Sequence, residues 1–200
     1  MSQPVTPATV AQRPSLSPGD RWVTEVTDHQ DARLNYRSER VVVSVDGGRV
    51  VTTAKTLKSN YTRTVEYDPD WGLLASRHPN GSVTTFSPAL PYMQFPLQPG
   101  SQWAARSDEI ASTGERKVHN ISARVTGWEQ VRAPAGTFNA LRIELSDRIE
   151  VDGSMVHEGK DVSWYVPSVK RSVRSEETSF DPKTNQTRRR TIELVEYQVR

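Results

Sequence analysis

The chain has 200 residues, and its 26 lysines and arginines against 24 aspartates and glutamates give a formal net charge of +2. Because the two signs are interleaved along most of the sequence, this balance does not indicate a nucleic-acid partner. The absence of cysteine excludes disulfides, thiolate catalysis and cysteine-ligated zinc or iron–sulfur sites, and no run approaches the roughly 18 apolar residues of a membrane-spanning helix.

The first eighteen residues differ in composition from the rest of the chain. Residues 1–18 contain four prolines among Ser, Thr, Gln and Ala, without a hydrophobic period. We therefore predict a disordered, Pro-rich tether at 1–18 and a single antiparallel β domain at 19–200. Such a tether is typical of an exported protein whose leader or lipid-attachment cysteine has been removed, which predicts a periplasmic or outer-membrane-tethered location. The alternative is a frayed cytoplasmic terminus.

The first half of the domain reads as short strands separated by turns. In the first strand Trp22, Thr24 and Val26 alternate with polar residues, which is the period of a half-buried strand. Turn signals such as Asp46-Gly47-Gly48 and Asn80-Gly81 tolerate positive φ and predict hairpins. The predicted strands in this half are 20–28, 34–45, 49–57, 61–67, 71–77 and 82–86.

A proline-rich stretch, Ser87–Gly100, interrupts the strand pattern. We predict a long crossing loop here, because proline donates no ladder hydrogen bond. The loop carries Tyr92, Met93 and Phe95, and long loops with apolar side chains are usually packed lids or binding loops. The alternative is that Tyr92 and Phe95 only plug one open end of a barrel.

The second half predicts a further meander. A bend is expected at Gly127-Trp128, and turns at 134–136 and Asp152-Gly153. Trp164 is expected to be buried with Ile143 in one core layer. The predicted strands in this half are 102–110, 115–126, 141–149, 162–166, 170–180 and 188–199.

The fold class follows from the alternation found in nearly every segment. We predict an all-β, or β-rich α+β, fold with helix below about 15% of the residues. Its core is a single strongly curved antiparallel sheet that forms a half-barrel or open barrel of about 10 to 12 meandering strands.

Three motifs resemble a pattern of uncharacterised bacterial envelope proteins, periplasmic or lipoprotein. They are Pro134–Glu144, Trp164–Pro167 and Pro96–Trp103. Those proteins are similar to the lipoprotein carriers (LolA-like half-barrels), and this resemblance implies a curved sheet wrapped around an apolar concavity. The chain has no evident long helix to plug such a sheet, so a closed barrel is the alternative.

Two functions of different classes follow. The first is a non-catalytic extracytoplasmic module that binds an apolar ligand, an acyl chain or a lipoprotein segment, in a concave sheet face. The second is a structural or protein-interaction module of an envelope assembly with a filled core. A binder needs a cavity of about 300 Å³ or more, which a scaffold lacks. The candidate ligand-binding residues are Trp22, Tyr92, Met93, Phe95, Trp103, Trp128, Phe138 and Trp164.

No reactive constellation is visible in the sequence. The four histidines are scattered without metal-ligand spacing, so we expect no metal, no cofactor and no enzymatic activity. The best local cluster is His157-Glu158 near Asp161, but adjacent strand residues point to opposite faces.

One cationic cluster stands out in the last predicted hairpin. The candidates for contact with an anionic surface are Arg188, Arg189 and Arg190. The alternative is solvated charge on an edge strand, which opposes edge-to-edge aggregation.

Overall fold

The computed structural model describes residues 10–59 and 61–200 and consists almost entirely of strands. Two short 3₁₀ helices, Ala32–Leu34 and Pro167–Val169, complete the secondary structure of this part of the chain. No helix within it is long or apolar enough to cross a membrane. The strands are β1 (Arg21–Asp28), β2 (Tyr36–Asp46), β3 (Arg49–Thr56), β4 (Tyr61–Tyr67), β5 (Leu73–Arg77), β6 (Val83–Leu90), β7 (Gln102–Ala111), β8 (Arg116–Ala133), β9 (Gly136–Val151), β10 (Ser154–Val166), β11 (Arg171–Asp181) and β12 (Gln186–Gln198).

The twelve strands form a closed antiparallel barrel. Each strand pairs with its neighbours in the chain, and β1 pairs with β12 from Arg21↔Gln198 to Asp28↔Arg190. The predicted all-β class and strand number are confirmed. The barrel is closed rather than half or open, because the pairing of the first and last strands satisfies both sheet edges.

The side chains alternate between the interior and the exterior of the barrel. On β8, Ile121, Ala123 and Val125 are buried, whereas Ser122 and Arg124 between them are exposed. This two-residue period is why the strands could be recognised in the sequence.

Strands β8 and β9 are the longest of the barrel. The bend predicted at Gly127-Trp128 is a register shift between Val125 and Gly127, after which β8 continues to Ala133. At the tip of this hairpin the backbone N–H of Ala135 donates to the carbonyl of Leu194, at 3.0 Å. The register shift after Val125 is a bulge, which bends β8 by accommodating one extra residue without ending the strand.

The buried residues form two clusters. Trp164 belongs to the cluster of Trp22 and Leu194, whereas Ile143 belongs to that of Leu141 and Tyr165. The prediction that Trp164 and Ile143 share a core layer was wrong. In the β9–β10 ladder Trp164 lies opposite Arg142 and Ile143 lies opposite Ser163, so the two apolar side chains leave the sheet on opposite faces.

The described part of the predicted tether contacts the barrel. Ala11 is buried and forms a two-way backbone bridge with Leu97, with N···O distances of 2.7 and 2.8 Å. Leu16 packs against the cluster of Trp22. Ala11 and Leu16 thus contact the barrel, residues 1–9 of the predicted tether lie outside the described residues, and the predicted division into tether and domain stays a prediction.

The proline-rich stretch begins as a strand. β6 extends to Leu90, beyond the predicted end at Phe86, so Ser87–Leu90 is not part of the loop. Ala75 pairs with Thr85 and Leu73 pairs with Leu90, which leaves the residues between them without a partner on β5. Pro88 is tolerated there because a bulged segment needs no N–H for that ladder.

Candidate functional site

A cavity of about 460 Å³ lies inside the barrel. Its wall is built from residues of β1, β2, β4, β5 and β9–β12, of the turn between β4 and β5, and of the loop after β6. Apolar and polar groups are present in nearly equal number. The apolar and aromatic lining residues include Trp22, Val26, Val65, Tyr67, Trp71, Leu73, Tyr92, Met93, Leu145, Val173, Ile192 and Leu194.

Three aromatic rings form one wall of the cavity. Trp71 stands edge-on to Trp22 and to Tyr67, with ring centroids 5.7 and 5.2 Å away. Both indole N–H groups donate to backbone carbonyls: Trp22 to Val169 at 2.8 Å and Trp71 to Lys170 at 3.0 Å. Because their polar atoms are satisfied, the two buried indoles are held in place.

A tight turn between β4 and β5 positions Trp71. The Asp68 carboxylate accepts hydrogen bonds from the backbone N–H groups of Asp70, at 2.9 Å, and Gly72, at 2.7 Å. Trp71 has φ +64°, and a Cβ on Gly72 would collide with the Asp68 carboxylate. The Asp-Pro-Asp-Trp-Gly sequence is therefore specific for a turn that directs the Trp71 ring into the barrel.

Two arginines stack on the aromatic wall. The Cζ atom of Arg171 lies 4.7 Å from the Trp71 ring centroid and 5.5 Å from that of Trp22. Arg40 lies 5.3 Å from the Tyr67 centroid and donates to Thr52 Oγ1 at 2.9 Å. Burial lowers the pKa of Arg171 to about 10, and the charge of Arg40 acts in the same direction. The two cations are thus close enough to repel each other.

An acidic pair faces the same cavity. Asp161 on β10 lies directly opposite Glu177 on β11. Burial, reinforced by the Glu177 charge, raises the pKa of Asp161 to about 7, and burial also raises the pKa of Glu177. Among the described residues, the Oδ1 atom of Asp161 has no hydrogen-bond partner. This part of the wall therefore carries less negative charge at neutral pH than its composition suggests.

Three of the predicted ligand-binding residues, Trp22, Tyr92 and Met93, line the cavity. Tyr92 is 39% exposed, yet burial raises the pKa of its hydroxyl. An exposed side chain and a buried hydroxyl are compatible here because Tyr92 lines the cavity, so its exposed surface faces the interior of the barrel. The loop after β6 thus reaches into the lumen.

The other five predicted residues are packed elsewhere and do not line the cavity. Trp103 is buried, and Phe95 and Trp128 pack against the same cluster. Phe138 packs against the cluster of Trp164, which is itself buried. Aromatic residues are typical of protein cores as well as of ligand sites, so their presence in the sequence did not distinguish the two.

The three adjacent arginines of β12 have separate environments. Arg188 and Arg190 each lie 3.3 Å from Oδ2 of the fully buried Asp28. The backbone N–H of Arg189 donates to Gln30 Oε1 at 2.9 Å. Two of the three cations therefore neutralise a buried carboxylate.

A buried histidine network was missed by the sequence. His119 is 5% exposed, and its ring nitrogens lie 2.8 Å from Asp147 Oδ2 and 2.8 Å from Glu109 Oε2. Burial opposes the charge of His119, but the hydrogen bonds to Asp147 and Glu109 raise its pKa to about 9. The two carboxylates come from the neighbouring strands β9 and β7, so only the strand register could have revealed them.

Crystal structures of two bacterial proteins share the fold. A lipoprotein candidate from Parabacteroides distasonis has a TM-score of 0.53 at 17% identity, over 94% of this chain and 99% of that chain. An exported-protein candidate with a YmcC-like fold from Bacteroides fragilis has a TM-score of 0.59 at 14% identity, with the same coverage of 94% and 99%. The hypothetical lipoprotein YmcC from Escherichia coli gives 0.47 at 12%, over 90% and 88%.

The sequence matches no family model and no curated protein. The expected similarity to the lipoprotein carriers stays a prediction. At identities of 14 and 17% the structural likeness concerns architecture alone, so the conclusion is one of fold: this chain is a twelve-stranded closed barrel similar to proteins of YmcC-like fold.

Proposed function

We propose that the protein is a non-catalytic extracytoplasmic module that binds an acyl-chain ligand inside its barrel. The observation that carries this proposal is the cavity of about 460 Å³. Pockets for small ligands usually measure about 300 to 1,000 Å³, whereas a structural module fills that space with side chains. The cavity volume thus favours binding over a purely structural role.

The chemistry of the wall refines the ligand. The sequence predicted an apolar concavity, but arginines, serines and two acidic residues share the wall with the apolar side chains. A purely apolar ligand would displace water from these polar groups and offer them no hydrogen bond in return, which is unfavourable. A ligand with an apolar chain and a polar end satisfies both parts of the wall.

The extracytoplasmic location is supported by two observations. Proteins that share the fold are described as lipoprotein or exported-protein candidates. The Pro-rich N-terminal segment agrees with a domain held outside the cytoplasm. This location gives the module access to membrane lipids and lipoproteins as sources of an acyl chain.

The His119 network supports a role without catalysis. Both ring nitrogens of His119 are engaged by carboxylates, and the Phe86 ring lies 5.8 Å from the imidazole. A general base needs a free nitrogen within reach of substrate. Neither ring nitrogen of His119 is free to take a proton from a substrate. The arrangement therefore suits a structural ion cluster.

A cavity-filling variant tests the proposed function. Ser175 lines the cavity, and leucine in its place occupies lumen volume. Ser122→Leu is the matched control, because Ser122 is exposed on the outer face of β8. We expect N-phenylnaphthylamine to bind the wild type saturably and to be displaced by long-chain lipids. Ser175→Leu should weaken binding at least tenfold, and Ser122→Leu should leave it unchanged. Absence of saturable binding to the folded wild type would support the structural module instead.

A further inference from the structure

The charge on the cavity wall is unbalanced. Five arginines but only two acidic residues line it. Burial raises the pKa of Asp161 to about 7, which reduces its negative charge at neutral pH. Two of the arginines, Arg174 and Arg190, form ion pairs with acidic residues outside this pair. The surplus of positive charge is therefore carried by the remaining three.

These three arginines, Arg40, Arg63 and Arg171, form no ion pair with any residue in the described part of the chain. Arg40 and Arg63 lie on either side of Ala54 in the β2–β3–β4 ladder, so only a small side chain separates them. All three are half-buried, and a guanidinium group that is partly withdrawn from water without a counter-charge is destabilising. An anion in the cavity would remove that destabilisation.

The aromatic wall prepares two of these groups for binding. Arg171 stacks on Trp22 and Trp71, and Arg40 stacks on Tyr67. Stacking uses the face of a guanidinium and leaves the N–H donors in its plane, where they match the two oxygens of a carboxylate or phosphate. Because the rings hold Arg40 and Arg171 in position, little conformational freedom is lost on binding.

We propose that the ligand of the barrel is an amphipathic anion, whose carboxylate or phosphate head group is bound by Arg40 and Arg171. This inference rests on the proposed function and names the chemical class of its ligand. The acyl chain of the ligand contacts the apolar part of the wall, which includes Leu73, Met93, Leu145, Ile192 and Leu194. Arg63 contributes to the positive field at the same site.

A comparison of head groups tests the inference. Dodecanoate, dodecyl phosphate and dodecanol share one chain length, and their binding is followed by the fluorescence of the tryptophans at the cavity. We expect dodecanoate or dodecyl phosphate to bind at least tenfold more tightly than dodecanol, because a charge-assisted bidentate contact is lost in the alcohol. Acetate and inorganic phosphate alone should bind far more weakly, since they lack the chain.

Arginine variants locate the head group. Arg40→Met and Arg171→Met should each remove most of the preference for the anion while the affinity for dodecanol is kept. Neither substitution strands a carboxylate, so both variants should fold, as checked by circular dichroism. Arg106→Met is the matched control, because Arg106 is exposed on β7 and has no ion pair among the described residues.

The outcomes separate this inference from the proposed function. Equal affinity for dodecanol and dodecanoate in wild type would overturn the anion inference and leave the acyl-chain module intact. The anion inference is also overturned, and the acyl-chain module again left intact, if Arg40→Met and Arg171→Met keep the preference for the anion. If acetate or inorganic phosphate binds as tightly as dodecanoate, the acyl chain contributes nothing, and the proposed function itself fails.

Discussion

Asp161 lies directly opposite Glu177 in the β10–β11 ladder, and both carboxyl groups face the interior of the barrel. Carboxylates in this arrangement repel each other and are poorly solvated, so one of them binds a proton more readily than in water. In this barrel Asp161 is that group, with a pKa of about 7.

The Asp161 pair predicts an effect of pH on stability. The folded-state pKa of Asp161, about 7, lies above the ordinary value of 3.8, so stability is lost as the pH rises from about 4 to 7. Asp161→Asn removes the charge and should raise the free energy of unfolding at pH 8 by about 1 to 3 kcal/mol. At pH 4 the gain should be much smaller. Urea denaturation at pH 8 and pH 4 measures the free energy of unfolding of the variant and the wild type. Asp46→Asn, at an exposed site, is the control.

His119 predicts a second effect, at higher pH. Its folded-state pKa is raised from 6.5 to about 9, so the stability it contributes is fully present below pH 6.5 and lost as the pH rises through 9. His119→Gln should lower the free energy of unfolding by about 3 kcal/mol at pH 6, because Glu109 and Asp147 lose their shared cation. The difference between variant and wild type should shrink above pH 9. An equal difference at pH 6 and pH 9.5 would show that His119 acts only by packing.

A buried ion pair joins the start of β1 to the turn before β11. Asp20 is fully buried and accepts from Lys170 Nζ at 2.9 Å and from the backbone N–H of Arg200 at 2.8 Å. Asp20→Ala should lower the free energy of unfolding by about 3 to 5 kcal/mol, because Lys170 loses its counter-charge and keeps only the backbone carbonyl of Arg200, at 2.6 Å, as a partner. Glu176→Ala, which breaks an exposed pair with Arg174, should cost less than about 1 kcal/mol. Thermal unfolding of the two variants measures both losses of stability. Similar losses would show that the buried pair of Asp20 and Lys170 stabilises the barrel no more than an exposed pair does.

The strands could be predicted because their signals are local. Alternation and turn residues lie within a few positions of each other, and the predicted strand 61–67 coincides with β4. Barrel closure could not be predicted, since the pairing of Arg21 with Gln198 joins the two ends of the domain. Residues 87–90 were assigned to a loop because the bulge that accommodates Pro88 depends on the register with β5.

The candidate site was harder to predict than the fold. Aromatic residues were assigned to the concave face by their size, yet Trp103 and Trp164 pack in the core. The better signal was polar residues at inward positions: Ser38 and Arg40 precede the buried Val42 with a period of two. That signal becomes meaningful only when the strand register is known, because the same alternation also describes a solvated face.

Crystallography with a terminally brominated dodecanoate shows whether an anionic acyl chain occupies the barrel interior. We expect one anomalous bromine peak inside the cavity, near Leu145 or Ile192, and carboxylate density at hydrogen-bond distance from Arg40 and Arg171. The Ser175→Leu variant should lose the peak. A bromine peak outside the barrel, or an empty cavity at saturating ligand, would show that the barrel interior does not bind an anionic acyl chain.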